Sequence, residues 1–267
     1  MQRHAAVAGQ FYPGTREQLR TALAGLIPRI SKKRQVLGIV APHAGYVYSG
    51  AVAGKVYGQT AIPPAVLIIG PNHHGAGAAA ALYPEGEWLT PLGPISINPR
   101  LTALLQRCVP FMEFDSSAHR FEHSLEVQVP FIQHLRSDAT MAALCLGHGD
   151  FEAVQEIGRG VAAAIREYGE DVLIVASSDM THYESAESAR RKDELALARV
   201  MAFDPEGLLK VCRGEHITMC GVIPAAVMLV ASRELGATRA ELVAYGTSGD
   251  ITGDNQQVVG YAAVSIW

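Results

Sequence analysis

Four short runs dominate the hydropathy of the chain: Val36–Val40, Val66–Ile69, Met141–Leu146 and Val172–Ala176. Each is built mostly of Val, Ile, Leu and Ala, with no polar alternation. Runs of this length and composition suit strands covered on both faces, the habit of a parallel sheet sandwiched between helices. Helical signals lie between and around them. Thr15 with Gln18 forms a capping-box pattern ahead of Leu19, Leu23 and Leu26. Asp150 can cap a helix through Arg166 with Val154, Ile157, Val161 and Ile165 on one face. Ser185–Met201, Pro205–Cys212 behind Asp204, and Gly221–Leu235 read the same way. Trp88–Thr90 and Ile95–Ile97 flank Pro91-Leu92-Gly93-Pro94 as a hairpin, and Leu242–Tyr245 and Val258–Ile266 are two further strands. The expectation is one α/β domain over residues 1–267, with a mixed, largely parallel central sheet flanked by helices.

Composition supports a large core and excludes several function classes. Of 267 residues, 49% are hydrophobic and 18% charged, against roughly 25% charged in ordinary soluble chains. Lys plus Arg number 22 and Asp plus Glu 26, a net charge of −4. No basic stripe marks a nucleic-acid or anionic-lipid partner. No apolar run approaches the roughly 20 residues needed to span a bilayer, and Arg3, His4 and Gln10 interrupt the start before a signal-type stretch forms. The four cysteines, Cys108, Cys145, Cys212 and Cys220, include no Cys-x-x-Cys pair, as expected of free thiols in a cytoplasmic protein.

Histidines recur just past the apolar runs. The first run leads into Ala41-Pro42-His43-Ala44-Gly45-Tyr46, the second into Gly70-Pro71-Asn72-His73-His74-Gly75, and the last into Ser177-Ser178-Asp179-Met180-Thr181-His182-Tyr183. Open α/β sheets bind ligands beyond the C-terminal ends of their strands, so residues distant in sequence are expected at one rim. A single such histidine is as readily a hydrogen-bonded strand end; three in equivalent places point to a site. Neutral imidazole is the commonest metal ligand, and a catalytic metal takes about three protein ligands and an open position. Cys220, just before the helix at Gly221, is the candidate third ligand, against the alternative of a small buried hydrophobe. Two imidazoles and a thiolate suit iron, copper or zinc.

Asp179 and His182 would share a face on a helical turn and form an acid–base pair, or Asp179 would simply cap a helix. In His119-Arg120-Phe121-Glu122-His123-Ser124-Leu125-Glu126, a helix would set His119 and His123 on one face, with His123 the better pocket candidate. His4, His134, His148 and His216 read as surface residues. Gly246-Thr247-Ser248-Gly249-Asp250 either closes the rim or is only a turn.

Taken in order, Ala41–Tyr46, Gly70–His74, Glu122–Glu126, Ser177–Asp179 with His182, and Cys220-Gly221 resemble the signature blocks of the Memo family, whose prokaryotic members are called AmmeMemoRadiSam system protein B. The resemblance extends from Ala8–Pro13 to Gly260–Ala263. It implies a fold similar to the class III extradiol dioxygenases, with a metal pocket at one end of the sheet. It further implies His43, His73 and Cys220 as metal-site residues, and Asp179, His182 and His123 lining the pocket, His182 standing where those dioxygenases have their acid–base histidine. Those enzymes use two histidines and a glutamate around iron, whereas this chain offers Cys220, so ring cleavage does not carry over. The family name implies AMMECR-like and radical-SAM proteins as pathway partners. Three functions follow as expectations: metal-dependent redox or oxygenase-like chemistry, a metal-free cysteine-nucleophile hydrolase, or a non-enzymatic module binding a small molecule or peptide.

Overall fold

The four apolar runs lie side by side in the computed structural model, which describes residues 1–267. Gly38–Ala41 pairs in parallel with Val172–Ser177, that strand with Ala65–Pro71, and Ala65–Pro71 with Thr140–Leu146. Antiparallel pairings flank this parallel centre. On one side Val258–Ile266 runs antiparallel to Gly38–Ala41 and carries both Ala240–Thr247 and the short strand His182–Glu184. On the other, Ala80–Leu82 runs antiparallel to Thr140–Leu146, with Glu113–Phe114 beyond it, for nine strands in all. The expected hairpin forms at Glu87–Thr90 and Gly93–Ser96 but joins a separate three-stranded sheet with Gln2–Arg3.

Alternate side chains of the central strands enter opposite cores, as the two-residue period of a strand demands. Ile39, Ala41, Val66, Ile68, Leu173 and Val175 face the core that holds Leu19, Leu23, Tyr57 and Phe131. Val40, Leu67, Ile69, Ile174 and Ala176 face the one built on Leu101, Val161, Leu208 and Val227. Covering both faces removes the polar alternation that an exposed sheet would need. A single truncation such as Leu67→Ala at this depth costs about 2–5 kcal/mol.

Helix starts follow the capping chemistry. Thr15, Asp150, Ser185 and Asp204 each accept a backbone N–H from three residues on, at the heads of Arg16–Leu26, Phe151–Tyr168, Ala186–Met201 and Pro205–Gly214. The helix Tyr46–Gln59 carries no such signal: no side chain caps it and it is buried on most sides. A methyl added at its Gly54 would lie 2.1 Å from the Leu26 carbonyl oxygen, so glycine lets this helix press against the end of Arg16–Leu26. No helix is long and apolar enough to cross a membrane.

Candidate metal centre

Because the central strands are parallel and adjacent, Ala41, Pro71 and Ser177 end at one edge of the sheet. His43 and His73 follow two of those ends directly. His123 arrives from a different direction, on the loop between the 3₁₀ turns Ser117–His119 and Glu126–Gln128. The ligand atoms of His43, His73 and His123 lie within 4.8 Å of one another, a group that could hold a metal ion. The ring centroids are 5.2 Å apart for His43 and His73, 5.4 Å for His43 and His123, and 4.6 Å for His73 and His123.

Hydrogen bonds behind the rings decide which nitrogens face the group. The Ser177 hydroxyl donates to the Ser124 carbonyl at 2.6 Å, so toward His43 it can only accept, and His43 Nδ1–H donates to it at 2.9 Å. Gln128 Nε2 donates to the same oxygen at 2.8 Å. His73 Nδ1 donates to Glu122 Oε1 at 2.8 Å, and the His73 backbone N–H donates to Glu122 Oε2 at 2.7 Å. Burial alone would push the Glu122 carboxyl up, but hydrogen bonds from His73 and Ser124 hold it well below the usual carboxylate range. Both histidines are thereby fixed as Nδ1–H tautomers with unprotonated Nε2 atoms turned away from these partners, the arrangement in which a metal ligand is oriented by the group behind it. Burial, reinforced by the neighbouring His123 and His73, keeps the His43 imidazole well below its usual pKa. Burial likewise lowers His123 to about 4, against the pull of Glu122.

Cys220 is outside the three-histidine group, but its Sγ lies 3.2 Å from His43 Nε2 and accepts the Asp179 backbone N–H at 3.3 Å. Ligand atoms at about 2.0 Å (nitrogen) and 2.3 Å (sulfur) from one tetrahedral ion are separated by roughly 3.5 Å, so the pair is spaced as two ligands would be. Gly221 makes the approach achievable, since a methyl there would meet the Ser177 carbonyl oxygen at 2.3 Å and Ser178 Cβ at 2.4 Å. Burial, with the Asp179 carboxylate beside it, raises the thiol pKa, so Cys220 is protonated in the metal-free protein. The other cysteines are core or surface members away from the group, and burial pushes Cys212 up to about 12.

Asp179 and His182 both line the cleft but do not form the dyad that a helical turn would give. No such turn follows Val172–Ser177. Instead Asp179 Oδ1 accepts the backbone N–H groups of His43 at 2.8 Å and Ala44 at 3.3 Å, bracing the loop that leads into Tyr46–Gln59. Burial raises its carboxyl to about 6, against those hydrogen bonds. His182 Nδ1 donates to the Thr218 carbonyl at 3.0 Å, which leaves its Nε2 as the basic atom. The helix that would pair His119 with His123 is also absent. His119 points away into an aromatic cluster with Tyr83 and Trp88 and binds the Ala81 carbonyl, while His123 joins His43 and His73. His4, His134, His148 and His216 are exposed.

The cleft over the group measures about 620 Å³. The stretch after Thr247 does close it, contributing Ser248, Thr252 and Asp254. Phe11, Tyr48, Tyr183 and Tyr261 add aromatic walls, and no Lys or Arg lines it. Phe11 packs on His123 at 4.7 Å. These aromatic residues and the second-layer Glu122, Ser177 and Gln128 were not singled out for the site by the motifs. Glu122, adjacent to His123, and Ser177 and Tyr183, at the two ends of the block that carries Asp179 and His182, nonetheless lay within the quoted motifs.

Comparison with known proteins agrees with this architecture. Residues 3–265 match the family model described as Memo-like protein. A MEMO1 family protein of Methanopyrus kandleri is 39% identical over 99% of this chain and 98% of its own. One from Methanosarcina barkeri is 40% identical over 99% of each, and one from Aquifex aeolicus 40% over 97% of each. The crystal structure of an uncharacterized protein from Escherichia coli K12 superposes with a TM-score of 0.57 at 16% identity, covering 87% of this chain and all of that one, which bears on the fold alone. With the family model and these relatives spanning the chain nearly end to end, it belongs to the Memo-like family.

Proposed function

We propose that this protein binds one transition-metal ion in the cleft and performs metal-dependent redox or oxygenase-like chemistry on a small molecule or a peptide segment. The observation that carries the reading is the convergence of His43, His73 and His123 within 4.8 Å, beside a thiol 3.2 Å from His43. Neutral imidazoles and a thiolate are borderline to soft donors and fit iron, copper or zinc rather than magnesium or calcium. His43 and His73 with Cys220 form the proposed ligand set, and His123 stands ready as a further donor.

When bound, the ion would supply Lewis acidity and, as iron or copper, one-electron chemistry. The chain's own groups do the rest. Glu122 and Ser177 orient the two imidazoles from behind. His182, its Nδ1–H held by Thr218, presents Nε2 as the base that takes or returns a substrate proton. Asp179 holds the His43 loop in place. Phe11, Tyr48, Tyr183 and Tyr261 narrow the cleft against water, and the absence of Lys and Arg from its lining suits a neutral or cationic substrate. The metal-free nucleophile reading is weaker, because the Cys220 thiol faces a carboxylate and has no cation near it to favour the thiolate.

The test is metal uptake by chelator-stripped full-length protein, followed by elemental analysis and absorption spectroscopy of the cobalt- or copper-loaded form. Stoichiometric uptake with a sulfur-to-metal charge-transfer band that Cys220→Ser abolishes supports the ligand set. Stoichiometric uptake lost only in His123→Ala would replace Cys220 by His123. No uptake in the wild type would remove the proposal.

A further inference from the structure

A second cavity, of about 680 Å³, opens between the N-terminal segment and the loop that carries Glu122 and His123. Its eleven lining residues include Arg3, His4 and Arg120 and not one Asp or Glu. The two arginines are in different electrostatic states. Arg3 is spent on the protein itself: it donates to the His119 and Glu122 carbonyls and pairs with the buried Glu126 carboxylate at 2.7 Å. Arg120 forms no ion pair, and its guanidinium rests 5.1 Å from the Phe121 ring centroid. One guanidinium in this wall is therefore without a compensating charge.

A second observation points the same way. Tyr83 is only 3% exposed, its ring packed against Trp88 and His119, and it lines this cavity with a hydroxyl that bonds no protein group and is open to solvent. With the ring held on both sides, that hydroxyl is a fixed donor facing the cavity. The rest of the wall is mixed: Met1, Ala5, Ala6 and an exposed Phe121 ring supply an apolar part beside Gln2, His4, Ser116 and Ser117.

From these features we infer that the cavity is a binding site for a small organic monoanion, a carboxylate on an apolar or aromatic body. Arg120 supplies the forked, charge-matched donor for the carboxylate. The Tyr83 hydroxyl supplies a second donor, and Phe121 with Ala5 and Ala6 covers the body. A monoanion is favoured over a dianion because only one guanidinium is left uncompensated. The volume lies within the usual range of small-molecule sites. The site is separate from the metal cleft, so the inference stands or falls independently of the proposed metal chemistry.

Calorimetric titration of chelator-stripped, full-length protein tests it, with benzoate as probe, benzamide as its neutral isostere and inorganic phosphate as a compact anion. Benzoate is expected to bind saturably, about tenfold more weakly in Arg120→Gln and several-fold more weakly in Tyr83→Phe. Benzamide should not bind at the same concentrations. His73→Ala should leave benzoate affinity unchanged, and amide chemical shifts should move in residues 116–121. Absent saturation, or an affinity that Arg120→Gln does not alter, overturns the site. Loss of benzoate binding in His73→Ala overturns its location, and phosphate binding as tightly as benzoate overturns the carboxylate assignment.

Discussion

Glu122 grips His73 twice, one carboxylate oxygen accepting the imidazole Nδ1–H at 2.8 Å and the other the residue's own backbone N–H at 2.7 Å. Ring orientation and tautomer are thus set by one buried side chain, wholly shielded from solvent. Glu122→Gln keeps the shape but removes the charge. Metal affinity is expected to fall about 10–100-fold, the usual effect of losing a group that orients a ligand. Competition with a chromophoric chelator measures it, and an unchanged affinity would show that Glu122 does not orient the ligand.

Ser177 is the corresponding group behind His43, with Gln128 and the Ser124 carbonyl sharing its hydroxyl. Ser177→Ala leaves three buried polar groups short of a partner. The expected loss is about 1–3 kcal/mol in urea denaturation, together with weaker metal uptake. Full retention of both would mean that the network relaxes without cost.

Gly221 decides where Cys220 sits. In Gly221→Ala the new methyl would collide with the Ser177 carbonyl and Ser178 Cβ, both backbone-rigid neighbours. The segment must move off the strand end, carrying the sulfur away from His43. Absorption of the copper- or cobalt-loaded variant should lose its sulfur-to-metal band while the imidazole contribution persists. A wild-type spectrum would disprove the constraint.

Arg3 and Glu126 form a buried pair 123 positions apart in sequence, and Glu126 also accepts the Ala6 and Val7 N–H groups and the Tyr12 hydroxyl. Removing one partner strands the other charge. Arg3→Met is expected to cost about 3–5 kcal/mol in chemical denaturation. A loss below about 1 kcal/mol would indicate that water or another cation reaches Glu126.

His119 gives the protein an acid-sensitive element outside the three-histidine group. Burial holds its pKa at about 4, below the usual 6.5, and its Nδ1 has no partner. Above pH 6.5 neither the folded nor the unfolded chain protonates it; between 6.5 and about 4 only the unfolded chain does. Stability therefore falls as pH drops through that window, by roughly 3 kcal/mol from this residue at the lower end. His119→Gln should flatten the decline in urea melts between about pH 7 and about pH 4.5. An unaltered slope would assign the acid sensitivity to other groups.

Much of the fold was legible in the chain. Helices capped by Thr15, Asp150, Ser185 and Asp204 were found because a cap and an apolar stripe are local signals. Tyr46–Gln59 escaped because it is buried nearly all round, which erases the stripe. A mixed sheet was expected, but which strands run antiparallel and the diversion of the hairpin into its own sheet were not legible, since pairing partners such as Gln2–Arg3 and Glu87–Thr90 are far apart along the chain.

The residues that could meet at the site were written in the sequence, because histidines that follow buried parallel strands must emerge at one edge. What those residues bond to was not. His123 joined the group and His119 did not, although both lie on the same short segment. Asp179 braced the His43 loop instead of His182, and Glu122 and Ser177 assigned the tautomers. Each of those outcomes depends on distances between segments brought together only by packing of the sheet and its covering helices, and hydrogen-bond geometry is decided over a few tenths of an ångström that no spacing along a chain encodes.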